Sequence, residues 1–222
     1  MPDGLRVLGF DTSAAHCAAA VICGDRVLAQ RIEPMARGQA ERLFPLLTEL
    51  LAEAGQGWSD LGAIGVGEGP GNFTGVRISV AAARGLALSL GIPAVGITAT
   101  EAAACDAPRP CRAVVTLRGD EIVWQDFPVP SPDSPLRSAE RTRASATLGR
   151  NDALPPGPET CRSPHPLPVA IAILAARRVA AAPAPDHMCP PAAPAGIARP
   201  APLYLRPADA APPRDPPPLI LP

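Results

Sequence analysis

The stretch that decides the fold runs from Gly65 to Ile92, GVGEGPGNFTGVRISVAAARGLALSLGI. It reads as the end of a strand, a glycine-rich turn and then a long helix. Gly65, Gly67, Gly69 and Gly71 alternate with other residues, so the backbone can bend tightly or let another backbone approach closely. Asn72 or Thr74 can offer a side-chain oxygen to the first-turn amides, and exposed amides at a helix start form an anion site. A plain tight turn uses the same residues. Two nucleotide signatures are excluded. Starting from Gly65, Gly67 or Gly69, the sixth place of G-x-G-x-x-G falls on Pro70, Asn72 or Thr74. A Walker A loop needs Gly-Lys-Ser/Thr, and this chain has no lysine.

The helix says more than the turn. At about 100° per residue, Val76, Val80, Ala83, Ala87 and Leu90 share one face, and Ile78, Ala81, Gly85 and Leu88 share the opposite one. Arg77 and Arg84 are its only charges and stand on a single stripe between those faces. A helix apolar on two sides is buried on two sides. The more β-branched Val80 face suits packing on a sheet, and the Ile78 face, with its small residues, suits a second helix. The arginines, Gly91 and Pro93 leave too short an apolar run for a membrane span, and no membrane partner is expected.

Around this element, LRVLGFD (Leu5 to Asp11) is an apolar run that delivers Asp11 to a sheet edge. HCAAAVIC and RVLAQRIE read as two further strands joined at Gly24-Asp25, so Asp11, Thr12 and Ser13 fall in the first turn of a meander. Asp11 also suits a plain turn or capping role. Gln39 to Ala54 is an amphipathic helix with Leu43, Leu46, Leu47, Leu50 and Leu51 on a wide apolar arc and Pro45 inside it. LGAIGVG and PAVGIT supply strands on either side of the long helix. The order β-β-β-α-β-α-β is an α/β lobe with a mixed sheet.

DTS at the first strand end, ERLFPLL, and GPGNFTGVRIS followed by ARGLALSLGIP resemble the TsaB family. That family is the dimerisation subunit of the bacterial complex that makes threonylcarbamoyladenosine in tRNA, once grouped with M22 glycoproteases. The likeness covers residues 5 to about 104 and resumes at CRAVVTLRGDEIVWQDF and PLYLRPADAAPP. It implies an actin-like ATPase, ribonuclease-H-like first lobe over 1–104 and a second lobe over 105–182. It also implies a vestigial phosphate-site shape at Asp11, Thr12, Ser13, Gly69, Pro70, Gly71, Asn72 and Thr74. The implied partners are a TsaD-like catalytic transferase subunit with its associated ATPase, or a second copy, and tRNA through the complex. The docking face would comprise Leu46, Leu50, Arg77, Ile78, Ala81, Arg84, Gly85 and Leu88.

Two departures stand out. Gln39 occupies a place where the family usually carries His. Proline numbers 31, only five of them before residue 105, and residues 128–168 are rich in Pro, Arg and Ser. Such a composition does not pack. It suits a compensated frameshift or a disordered insert, and 183–222 reads as a Pro-rich linker and tail.

Chemistry of its own is not expected. His16, His165 and His187 lie in unrelated segments, with no H-x-x-x-H for a metal and no H-E-x-x-H for a peptidase. No Gly-Gly pair supplies an adenosine loop. Ser13, His16 and Asp11 are close in sequence, but triads are defined by geometry. No cofactor or metal is expected. The six cysteines form no C-x-x-C pair and Met1-Pro2-Asp3-Gly4 leads straight into a strand, so a reduced, cytoplasmic chain is expected. The net charge of −1 gives no broad nucleic-acid-binding surface. The reading is a non-catalytic scaffold or activating subunit. The alternatives are a degenerate ATPase of the superfamily or a homodimeric interaction module.

Overall fold

Strand β1 (Arg6–Asp11) has apolar residues at consecutive positions because both of its faces are covered. Leu8 and Phe10 point to one face, while Val7 and Gly9 point to the other. In the computed structural model, which describes residues 4–129, 146–182 and 197–205, β1 is the centre of a five-stranded sheet. β2 (His16–Cys23) and β3 (Arg26–Pro34) continue from it antiparallel, and β4 (Ala63–Gly67) and β5 (Ala94–Ile97) pair parallel on its other side. The order is β3-β2-β1-β4-β5.

Two helices cover one face. α1 (Gln39–Glu53) lays Leu43, Leu46, Leu47, Leu50 and Leu51 on the sheet, and runs on through Pro45. α2 (Phe73–Leu90) follows the glycine turn and ends at Gly91 in the left-handed region, where glycine carries no steric penalty. α2 is long and apolar enough to cross a bilayer by length and composition alone. Its Val76, Val80 and Ala83 side, however, is buried on the chain's own sheet. Arg42 ties this layer to the sheet edge through Glu33 on β3 and Glu49 on its own helix.

The opposite face brings a correction. The helical stretch after the proline-rich segment, α4 (Leu167–Ala181), falls within the sequence span given to the second lobe, yet it lies on the first sheet. Ala170, Ile171, Ala172 and Ala175 pack there with Val7, Val95 and Ile97. Gly9 and Gly65 are register partners on β1 and β4, and together they make the seat. A Cβ on Gly9 would stand 2.5 Å from the Pro168 carbonyl oxygen, and one on Gly65 would stand 2.9 Å from the Ala175 Cβ. The short helix α3 (Ala99–Ala103) packs beside α4.

The second sheet has the order β8-β7-β6-β9. β6 (Cys111–Thr116) and β7 (Glu121–Phe127) form the expected hairpin. Within the segment expected not to pack, residues 130–145 lie outside the described residues. Its later part does pack: β8 (Thr147–Arg150) pairs with β7, and β9 (Thr160–Cys161) pairs with β6. Backbone pairing needs no apolar side chains, and one buried guanidinium replaces them. Arg112, 2% exposed, holds Asp126 at 2.5 and 2.7 Å, donates to the Pro155 carbonyl and lies 4.4 Å from the Trp124 ring centroid. The tail also departs from a loose linker over residues 197–205. Ala201 N donates to Glu68 Oε1 at 2.7 Å and Leu203 N to the Glu68 carbonyl at 2.8 Å, and Glu68 itself is fully buried.

The seat of α4 is open to test. Gly9→Ala forces a methyl into α4 backbone and is expected to cost about 1–3 kcal/mol by overpacking. Denaturant unfolding followed by circular dichroism measures it, and an unchanged midpoint would contradict this packing.

Candidate functional site

The β1–β2 turn and the glycine turn are interlocked. Asp11 Oδ1 accepts from Ser13 N at 2.9 Å, Ser13 Oγ at 2.9 Å and His16 Nε2 at 2.8 Å. Thr12 Oγ1 donates to the Gly75 carbonyl at 2.7 Å, and Asn72 N donates to the Ser13 carbonyl at 2.6 Å. Gly75 has no room for a side chain, since its Cβ would meet the Thr12 carbonyl oxygen at 2.0 Å. Asp11, Thr12, Ser13, Gly71, Asn72 and Gly75 are thus brought together at one corner of the sheet.

Their hydrogen-bonding groups are nevertheless spent internally. Asn72 caps α2, its Oδ1 accepting from Thr74 N at 3.0 Å and Gly75 N at 3.1 Å. Val76 N is bonded to the Asn72 carbonyl. The amides that an anion would need are largely committed to the chain itself. Ser13 and His16 both bond Asp11 rather than each other, so these two do not form a nucleophile–base pair. Among the described residues, no three His, Cys, Asp or Glu side chains converge to hold a metal.

Above the interlocked turns, a cleft of about 1140 Å³ opens between the two sheets. Its floor carries His16, Asn72 and Thr74, its far wall Thr116 and Arg118, and its rim Tyr204. At one end His165 Nε2 bonds Asp106 at 3.0 Å, and Arg177 bonds the same carboxylate at 2.8 and 3.0 Å. Arg177 and His165 hold the Asp106 carboxyl below its usual range.

A second feature lies on the outside of the helical layer. Ala81, Gly85 and Leu88 of α2 face solvent, Leu88 at 87% exposure, and Ile78 is half-buried beside them. Between α1 and α2 runs an apolar groove of about 550 Å³, bordered by Ala40, Phe44, Ile78, Ala81 and Gly85. Leu46 and Leu50 require a correction as docking residues: both are completely buried beneath α1. The sheet takes the whole leucine arc, Leu43 to Leu51, so none of it is left exposed for a partner. Phe44, 46% exposed, borders the groove and was not singled out in the sequence. Its signal is an aromatic residue on the polar side of α1, in line with Glu41 and Thr48. Tyr204 was missed as well. Its hydroxyl accepts from Arg77 Nε at 2.7 Å, and the Arg77 guanidinium lies 3.6 Å from the Phe73 ring centroid.

The family model for TsaD, tRNA N6-adenosine threonylcarbamoyltransferase, matches residues 26–120. The tRNA threonylcarbamoyladenosine biosynthesis protein TsaB of Escherichia coli is 30% identical over 128 residues, covering 55% of each chain. The protein of the same name from Haemophilus influenzae is 34% identical over 97 residues, 43% of this chain and 40% of that one. The chain spans about half the length of the curated relatives it matches. YeaZ from Pseudomonas aeruginosa superposes with a TM-score of 0.59 at 25% identity, covering 79% of this chain and 92% of that one. The fold is that of an α/β protein with a mixed five-stranded sheet, shared with YeaZ. Over about half its length, the chain is similar in sequence to the TsaB proteins.

The cap on α2 gives a prediction. Asn72→Ala removes the acceptor for two first-turn amides and is expected to cost about 0.5–2 kcal/mol. Thermal unfolding reads the loss, and a variant as stable as the parent would show that Asn72 does not hold the turn.

Proposed function

We propose that the chain is a non-catalytic scaffold or activating subunit of the tRNA threonylcarbamoyladenosine-forming complex. It pairs with the catalytic, TsaD-like transferase through the outer face of α2 and the groove beside α1. The observation that carries this reading is the contrast between the two sides of α2: one is buried on the sheet, and the other leaves Ala81, Gly85 and Leu88 in solvent. Gly85 supports it further. A mid-helix glycine costs roughly 0.5–1 kcal/mol relative to alanine, and its Cβ would meet nothing within 4 Å among the described residues. Close approach by another backbone gives the glycine a purpose. The names of the TsaB relatives supply the pathway. The associated ATPase and tRNA are then met through the assembly, in the cytoplasm.

The self-satisfied turn at Asp11 and Asn72 supports a chain that brings no reacting group of its own. The cleft between the sheets favours a second reading, that of a degenerate superfamily ATPase. Purified chain alone is expected neither to hydrolyse ATP nor to cleave protein substrates. Turnover that survives repurification and disappears in Asp11→Ala would favour the second reading instead.

The docking face is tested by a pair of variants. Ala83 is fully buried, so Ala83→Glu places an unpaired carboxylate in the core. The expected cost of several kcal/mol is enough to unfold a marginal domain. Ala81→Glu keeps its charge in water and should leave the melting temperature close to the parent's while abolishing co-purification with the transferase and modification of tRNA. Co-purification unaffected by Ala81→Glu would move the interface elsewhere.

A further inference from the structure

Cys111 and Cys161 are far apart in the chain, and the fold brings them together. β9 is a two-residue edge strand, and its parallel register sets Arg112 beside Thr160 and Ala113 beside Cys161. Side chains two apart on a strand share a face, so Cys111 stands on the same side of the second sheet as Ala113 and Cys161. Cys111, 3% exposed, sits in a small cluster with Ala104, Ala107 and Ala113, and the half-buried Cys161 packs against that cluster. The two thiols interact directly, and both are reduced. Cys161 also lines the cleft between the sheets, which gives small molecules a way to the pair.

The surroundings set this pair apart from the other thiols. Arg109 Nη1 donates to Cys111 Sγ at 3.2 Å and places a positive charge beside that sulfur, the setting in which thiolate chemistry occurs. The Cys161 thiol is pushed up to about 12 by burial and by its contact with Cys111. Cys17 and Cys105, by contrast, are sealed in the cores on the two faces of the first sheet, and burial pushes both thiols up to about 11. Cys23 donates to the Gly4 carbonyl at 3.3 Å. Cys189 lies outside the described residues.

We infer that Cys111 and Cys161 are a redox modification site, closing to an intramolecular disulfide that fastens β9 to β6 when a small-molecule disulfide oxidises the pair. The reaction is thiol–disulfide exchange. The Cys161 thiolate attacks one sulfur of the oxidant, forming a mixed disulfide as the oxidant's own S–S bond breaks and one small thiol leaves. The Cys111 thiolate then attacks the Cys161 sulfur, forming the protein disulfide as the mixed bond breaks and the second small thiol leaves. Two electrons pass from the protein sulfurs to the oxidant, and the two protons of the protein thiols end on the two released thiols. Residues 162–166 lead from β9 directly into α4, so the bond also anchors the segment that carries the covering helix of the first sheet. The site stands whether or not the chain belongs to a transferase complex.

The test equilibrates full-length chain in buffers of reduced and oxidised glutathione, quenches by alkylation and maps the disulfides by mass spectrometry. The expected product is a Cys111–Cys161 disulfide in monomeric chain, reopened by dithiothreitol. Its melting temperature should be raised by about 5 °C or more, since closing a long loop restricts the unfolded chain. Because the Cys161 thiol is raised, the bond should form faster at about pH 9 than at about pH 7. Cys161→Ser should fold as the reduced parent does, form no disulfide at Cys111 and show no oxidant-dependent melting shift. Mapping on the parent decides the question even if that variant fails to fold. Full alkylation of both cysteines at every glutathione ratio would overturn the site, as would a glutathione adduct at Cys161 that never closes. Pairing of either cysteine with Cys189 instead would overturn it equally. A Cys111–Cys161 bond that leaves the melting temperature unchanged would overturn its role in fastening β9.

Discussion

The approach of α4 to the paired glycines Gly9 and Gly65 is the contact on which the rest depends. The central strands are apolar on both faces, so the sheet requires a layer on each side. α1 and α2 supply the first layer from nearby sequence. The second comes from a helix about 100 residues beyond β4, and it fits because two neighbouring strands present no side chain to it. Its own contact residues are small, Ala170, Ala172 and Ala175, so backbone meets backbone closely and the intervening space is filled. With that layer in place, β1 and β4 are fixed at the register that brings Asp11 and the glycine turn together.

From that register follows the character of the site. The ends of β1 and β4 form the crevice where open α/β sheets commonly bind ligands. In this chain the crevice has turned inward. The Thr12 hydroxyl bonds the Gly75 carbonyl, the Asp11 carboxylate accepts from Ser13 and His16, and two first-turn amides of α2 bond Asn72, so most of the turn's polar groups are committed within the chain and stiffen the start of α2. What the turn holds in position is the helix, and what the helix presents is its outer ridge.

Much of this was legible in the chain itself. The first lobe could be read strand by strand because each run was bounded by turn residues and each helix had a distinct period. The two faces of α2 could be told apart because β-branched residues gathered on one and small ones on the other. The illegible parts have physical reasons. Leu46 and Leu50 belong to an arc that the chain's own sheet takes whole, and a helical period alone does not say whether a sheet or a partner covers it. α4 has apolar residues nearly all round and gives no hint of which sheet it serves. β8 and β9 are held by backbone pairing and by the buried Arg112, and a composition rich in Pro, Arg and Ser hides both. Tyr204 acts from 127 positions beyond Arg77, a distance no local pattern spans.

The late arrival of α4 bears on how the protein is made. While the ribosome is still adding residues 105 to 166, the five strands of the first sheet are complete but one face is bare. Val7, Ile22, Val95 and Ile97 stay wet until the closing helix emerges. Contacts of such long sequence separation form slowly, and an uncovered apolar sheet is prone to sticking. The nascent chain therefore passes through a vulnerable interval whose length is set by the proline-rich stretch between the lobes. Any lengthening of that stretch prolongs the exposure, even where it leaves the finished fold untouched.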